Sequence, residues 1–202
     1  MLKIKNMTKN SVFVVFSLLL SLSAKAQTSF GLTLGGSFTP ISVVNSSGAD
    51  VNFIPENSAP TYQLGVYGQT RLSNKWDIRA GLLYSPKSYT SVAFTAKDTV
   101  ESYKPIYVGL PVSIGYEFSP NWKVRVGGSF QYCIKKDFLV DNAFDYGVLG
   151  EVSYSFKKLD LTLGYNRSLN QFTRFDYTGG HIDFKNQSFY LNLSVPIFKI
   201  DR

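Results

Sequence analysis

Apolar and polar residues alternate along eight separate stretches of this chain, and no stretch carries a helical period of comparable length. A strand sends successive side chains to opposite faces, so sustained alternation gives each stretch one apolar and one polar face. The stretches are Ser29–Phe38, Thr61–Leu72, Trp76–Tyr89, Lys104–Ser119, Trp122–Cys133, Asp145–Phe156, Leu159–Leu169 and Gln187–Phe198. The pattern is plainest around Pro120-Asn121. Ile106, Val108, Leu110, Val112, Ile114, Tyr116 and Phe118 lead in; Trp122, Val124, Val126, Phe130 and Tyr132 lead out. Most stretches reach the roughly 9–11 residues that a tilted strand needs to cross a bilayer.

The connections alternate too. Ser73–Lys75, Ser119–Asn121 and Lys157–Lys158 are tight, whereas Thr39–Pro60, Thr90–Tyr103, Ile134–Phe144 and Asn170–Asn186 are long and polar. Short and long connections in turn describe an up-and-down meander with one plain end and one elaborated end. Eight strands bring both termini to the plain end, the periplasmic end of an outer-membrane barrel. The expected fold is all-β: an eight-stranded antiparallel up-and-down transmembrane β-barrel.

A soluble barrel of the lipocalin type shares the alternation but turns its apolar phase inward. Three features favour lipid outside. Glycine concentrates in the polar phase (Gly31, Gly35, Gly65, Gly81, Gly109, Gly115, Gly127, Gly147, Gly164), with Gly36, Gly68, Gly128 and Gly150 in the apolar one. The interior of an eight-stranded barrel is filled by side chains, and long Arg and Tyr residues there need gaps beside them. Aromatic residues fall at two heights of the apolar phase. Trp76, Phe118, Trp122 and Phe156 flank the short turns, and Tyr62, Tyr84, Tyr132 and Tyr146 lie towards the long loops. Two such bands are the girdles of a membrane barrel. The polar phase near the short turns balances Arg71, Arg79, Lys123 and Arg125 against Asp77, Glu117, Glu151 and Asp160. A closed lumen needs such a self-neutralising set, because unpaired buried charge is costly. Three expectations follow. Val126→Arg blocks assembly, Gln131→Arg is tolerated, and Glu117→Ala leaves Lys123 or Arg71 short of a partner.

The first 26 residues read as a secretory signal peptide: Lys3, Lys5 and Lys9, then the apolar run SVFVVFSLLLSLS, then Ala24-Lys25-Ala26. The domain division is therefore 1–26 signal peptide and 27–202 barrel. That leader holds four of the 21 basic residues and no acid, leaving 17 against 14 acidic and a net charge of about +3. No basic block suggests nucleic acid. The single Cys133 excludes an intrachain disulfide framework and reads as space-filling.

The stretch YKPIYVGLPVSIGYEFSPNWKVRVGGSFQY, Tyr103–Tyr132, and the opening FGLTLGGSF resemble the Bacteroidetes-type outer-membrane β-barrel domain that includes the PorT-like proteins. Tyr107-Val108-Gly109-Leu110-Pro111 is similar to a central strand of that family, with Gly109 where an acidic residue is common. The resemblance covers Gln27–Arg202 as an alternation pattern. It implies an eight-stranded barrel in the outer membrane and, by analogy with PorT, a component of an envelope protein export or assembly system.

Among function classes, catalysis finds no support. His181 is the only histidine, with Asp176 and Asp183 near it in a long loop, and there is no G-x-S-x-G. No catalytic residue, metal ligand or cofactor site is expected. A diffusion pore conflicts with a lumen filled by side chains. A structural or loop-mediated binding role remains, because loops on a rigid scaffold carry recognition. The expected partners are outer-membrane lipid, the outer-membrane assembly machinery, and an envelope protein or surface ligand held by loops 39–60 and 170–186. A soluble periplasmic ligand-binding barrel is the more distant alternative.

Overall fold

The computed structural model describes residues 27–46, 59–92, 100–136, 142–171, 173–177 and 180–200. The predicted leader, 1–26, lies outside them. Eight strands form the wall: β1 (Thr28–Phe38), β3 (Thr61–Arg71), β4 (Trp76–Pro86), β7 (Ile106–Ser119), β8 (Trp122–Lys135), β9 (Phe144–Phe156), β10 (Leu159–Ser168) and β12 (Gly180–Ile200). Each pairs antiparallel with its neighbour, and β1 pairs with both β3 and β12, so the sheet closes on itself. Closure removes the open edges that a membrane cannot tolerate.

All eight expected strands are present. The tight turns fall where the sequence puts them, and Lys157, at φ 55°, takes the left-handed conformation in the Lys157-Lys158 turn. Thr28 pairs with Ile200, which brings the start of β1 and the end of β12 together at the short-turn end.

The long connections differ from the expected plain loops. They contain β2 (Ile41–Ser46), the hairpin of β5 (Tyr89–Val92) with β6 (Val100–Tyr103), and β11 (Thr173–Tyr177). β12 starts at Gly180 rather than near Gln187, and its first part pairs with β2 on one side and β11 on the other. These short runs lack long alternation; β5–β6 and β11–β12 are local hairpins, and only β2 takes its ladder from a strand distant in sequence. Pro86 and Pro105, which have no N–H to donate, mark where β4 ends and β7 begins.

The faces decide the surroundings. Thr33, Gln63, Asp77, Arg125, Asp145, Asn192 and Ser194 are buried, while Leu34, Leu82, Val126, Phe130, Leu163 and Leu191 are exposed. A water-soluble barrel has the opposite arrangement. Trp122 and Tyr132 are ten residues apart on β8. At about 3.4 Å per residue and a tilt of about 40°, that is roughly 26 Å, the height of the apolar band of a membrane barrel. β12 breaks its alternation with a bulge opposite Phe30 and Gly31, so Ile197 and Phe198 are both exposed to the outside.

Candidate functional site

The lumen is built on one ring of cross-strand neighbours: Asp77, Gly115, Arg125, Glu151, Gly164 and Tyr190, on β4, β7, β8, β9, β10 and β12. Glycine is interspersed among the large polar side chains for a steric reason. A Cβ on Gly115 would sit 2.6 Å from Asp77 Oδ1 and 3.1 Å from the Arg125 chain, and one on Gly164 would run into the Tyr190 ring. The Tyr190 hydroxyl crosses that gap to donate to Glu151 at 2.9 Å. By contrast, a Cβ on lipid-facing Gly150 would meet nothing within 4 Å. Gly164→Ala is therefore expected to cost about 1–3 kcal/mol through forced repacking, and Gly150→Ala less than about 0.5 kcal/mol. Urea unfolding of the two variants in the same detergent checks the difference.

Arg125 is 2% exposed and holds the ring together. It donates to Ser153 at 2.9 Å, to Gln69 at 3.2 Å and to Asp77 at 3.4 Å. Lys123 also pairs with Asp77, and Gln69 donates to it at 3.2 Å. One carboxylate thus neutralises two cations. Arg79 stacks 3.8 Å above the Tyr67 ring and donates to Ser194 at 2.7 Å. Asp160 accepts from Ser155 at 2.7 Å.

Glu117 does not serve Lys123. It pairs with Arg71 at 3.0 Å, with side chains 49% and 32% exposed for Arg71 and Glu117 respectively. Of the two partners expected for Glu117, Arg71 is the one it meets; such a pair in water contributes about 0.2–1 kcal/mol, and the buried carboxylate that serves Lys123 is Asp77. The eight charges singled out in the sequence all line the inside, but only Arg71, Glu117, Asp77, Lys123 and Arg125 form ion pairs among the described residues.

Sequence reasoning missed a second cluster at the loop end. Lys87 and Asp145 face each other at 3.6 Å with side chains 2% exposed. Asn186 donates to Asp145 at 2.6 Å and accepts from the Tyr89 hydroxyl at 2.5 Å, and Lys87 lies 4.2 Å over the Tyr107 ring. Burial pushes the Lys87 ammonium down from its ordinary range, and Asp145 pulls it back up. The signal for this pair was available in the alternation. Lys87 shares the phase of Asp77 and Arg79, and Asp145 that of Glu151. Both lie at the loop end, away from the charges that flank the short turns. With this pair the named inward-facing residues carry five charges of each sign.

On the outside, Trp76, Phe118, Trp122, Phe156, Tyr62, Tyr132 and Tyr146 are exposed, and Tyr84 is half-buried against Tyr62. The structure adds partners the sequence reading left out. Trp76 packs on Tyr116 at 4.8 Å, Trp122 on Tyr154 at 4.9 Å, and Tyr132 on Phe144 at 5.0 Å. Cys133 is buried and donates to the Lys135 carbonyl at 3.2 Å. Asp176 pairs with His181, and Arg174 with Asp183, in the β11–β12 ladder. Among the described residues no group of histidine, cysteine and acidic residues has the spacing of a metal site.

OprG of Pseudomonas aeruginosa superposes with a TM-score of 0.54 at 9% identity, covering 88% of this chain and 97% of that one. Neisserial surface protein A gives 0.49 at 15% identity over 83% and 97%. Ail, the attachment invasion locus protein of Yersinia pestis, gives 0.49 at 6% identity over 86% and 99%. No curated protein matches the chain. The sequence model of the outer membrane protein beta-barrel domain matches residues 23–174, through seven of the eight wall strands. A closed wall with its apolar side outward, its polar side inward and most of its length under that match leaves one conclusion: the chain belongs to the outer membrane protein beta-barrel domain family, and its place is the outer membrane.

Proposed function

We propose that the protein is a non-catalytic barrel whose role is loop-mediated binding, exerted at the long-loop end. The observation that carries this is the continuation of β12 past the aromatic band, flanked by β2 and β11. Chain segments drawn from loops 39–60 and 170–186 are thereby held on a common ladder. A rigid platform lowers the entropy lost when a partner binds. The occupant is an envelope protein or a surface ligand, and no cofactor enters the reading. A role in envelope export or assembly is the second reading, favoured by the PorT-like stretch Tyr103–Tyr132. Delivery would use the leader 1–26, the assembly machinery and a mature chain beginning at Gln27.

A photo-crosslinking residue placed within 47–58, in cells expressing the intact protein, tests the binding reading. A discrete adduct that disappears when 174–183 is shortened supports it. Absence of any adduct from several positions in 47–58, with the barrel present in the membrane, contradicts it. Mass spectrometry of the adduct separates the readings: a secretion or assembly component favours the second.

A further inference from the structure

We propose that the loop-side half of the lumen is a built water site, an ordered cluster bridging Lys87 Nζ and Gln131 Oε1. Both atoms are buried without a hydrogen-bond partner, one a donor and the other an acceptor. Both side chains line the same cavity of about 60 Å3. Their neighbours there are already occupied with one another. Ser129 donates to Asn166 at 2.8 Å, and Gln63 to Asn192. Asp145 stands 3.6 Å from the ammonium, too far for a hydrogen bond, and already accepts from Asn186. The chamber therefore offers one strong donor and one acceptor that nothing in the wall satisfies, and burying such groups unmet is unfavourable.

The chemistry of the walls selects the occupant. The ammonium repels a cation. Glu151, which also lines the chamber, disfavours an anion. A neutral molecule that both donates and accepts remains. The space is several times the 10–15 Å3 that one water requires. Tyr89, Tyr107 and Asn186 at the loop end are each at most 2% exposed, and a space of about 60 Å3 is small for a larger solute. Water is the molecule that fits. The cluster completes the coordination of a buried Lys–Asp pair that would otherwise be poorly satisfied, and it links β4, β8 and β9 at the height where the loops begin.

A crystal structure of the folded barrel at a resolution that shows ordered water tests the assignment. Density within hydrogen-bond distance of both Lys87 Nζ and Gln131 Oε1 is expected. A dry chamber, or direct bonding of the two side chains, overturns it. Gln131→Leu, confirmed as folded by its heat-modifiable migration, is expected to lose the density beside Lys87. Density that persists unchanged in that variant overturns the bridging role of Gln131.

Discussion

Asp77→Ala is expected to weaken the folded barrel by about 3–5 kcal/mol, the penalty for removing one partner from a buried ion pair. Asp77 is 3% exposed and is the carboxylate shared by Lys123 and Arg125. Its loss takes away the one carboxylate in ion-pair contact with the buried Arg125 guanidinium, which keeps hydrogen bonds only to the neutral Ser153 and Gln69. Arg125 cannot respond by giving up its proton, since a guanidinium stays charged in proteins. Equilibrium unfolding in urea, in lipid vesicles, reads the effect directly. Glu117→Ala in the same series is expected to lose no more than about 1 kcal/mol, because its partner Arg71 is at the wet mouth. Equal losses for the two variants contradict the assignment of Asp77 as the centre of the network.

Val126→Arg is the complementary perturbation, on the other face of the same strand. Val126 is 68% exposed and pairs across the wall with Ile114 and Gly150, midway between Trp122 and Tyr132. An arginine facing hydrocarbon at mid-depth costs about 2–4 kcal/mol. The expected readout is loss of the heat-modifiable form from the outer-membrane fraction. Gln131→Arg, which alternation alone marks as tolerated, is no longer the appropriate control. Its side chain lines the chamber that already holds Lys87, so a second cation would be buried there. Ser29→Arg is the better control, since Ser29 lines a wider polar opening of about 240 Å3 at the short-turn end, where an added cation stays hydrated although Arg71 and several lysines stand there with Glu117 and Asp160. That variant is expected to assemble normally. Assembly of Val126→Arg at the same level contradicts the orientation of the faces.

The wall was legible because period two is imposed by the geometry of a strand and survives any detail of packing. Trp76, Trp122 and Lys157-Lys158 mark strand starts and turns by chemistry that acts locally. Gly115 and Gly164 were legible because space beside a large side chain is set by the cross-strand neighbour, which register fixes. Pairing within the lumen was less legible. Glu117 and Asp77 have the same charge and the same phase, and only three-dimensional depth separates a wet pair from a dry one. The ladder of β2 was hidden because its partner is the early part of β12, over a hundred residues away, and β11 because a five-residue strand is too short to show a period. Lys87 and Asp145 were visible by phase, but they lie at the loop end, and nothing in period two shows that residues of β9 and of the end of β4 meet there.

The account rests on hydrocarbon contacting residues such as Leu34, Val126 and Leu163. Sedimentation of the purified protein in buffer without any amphiphile tests this most directly. The expected result is that it aggregates and pellets, and remains a single folded species only when detergent or lipid is supplied. A monodisperse folded monomer in plain buffer would contradict the account.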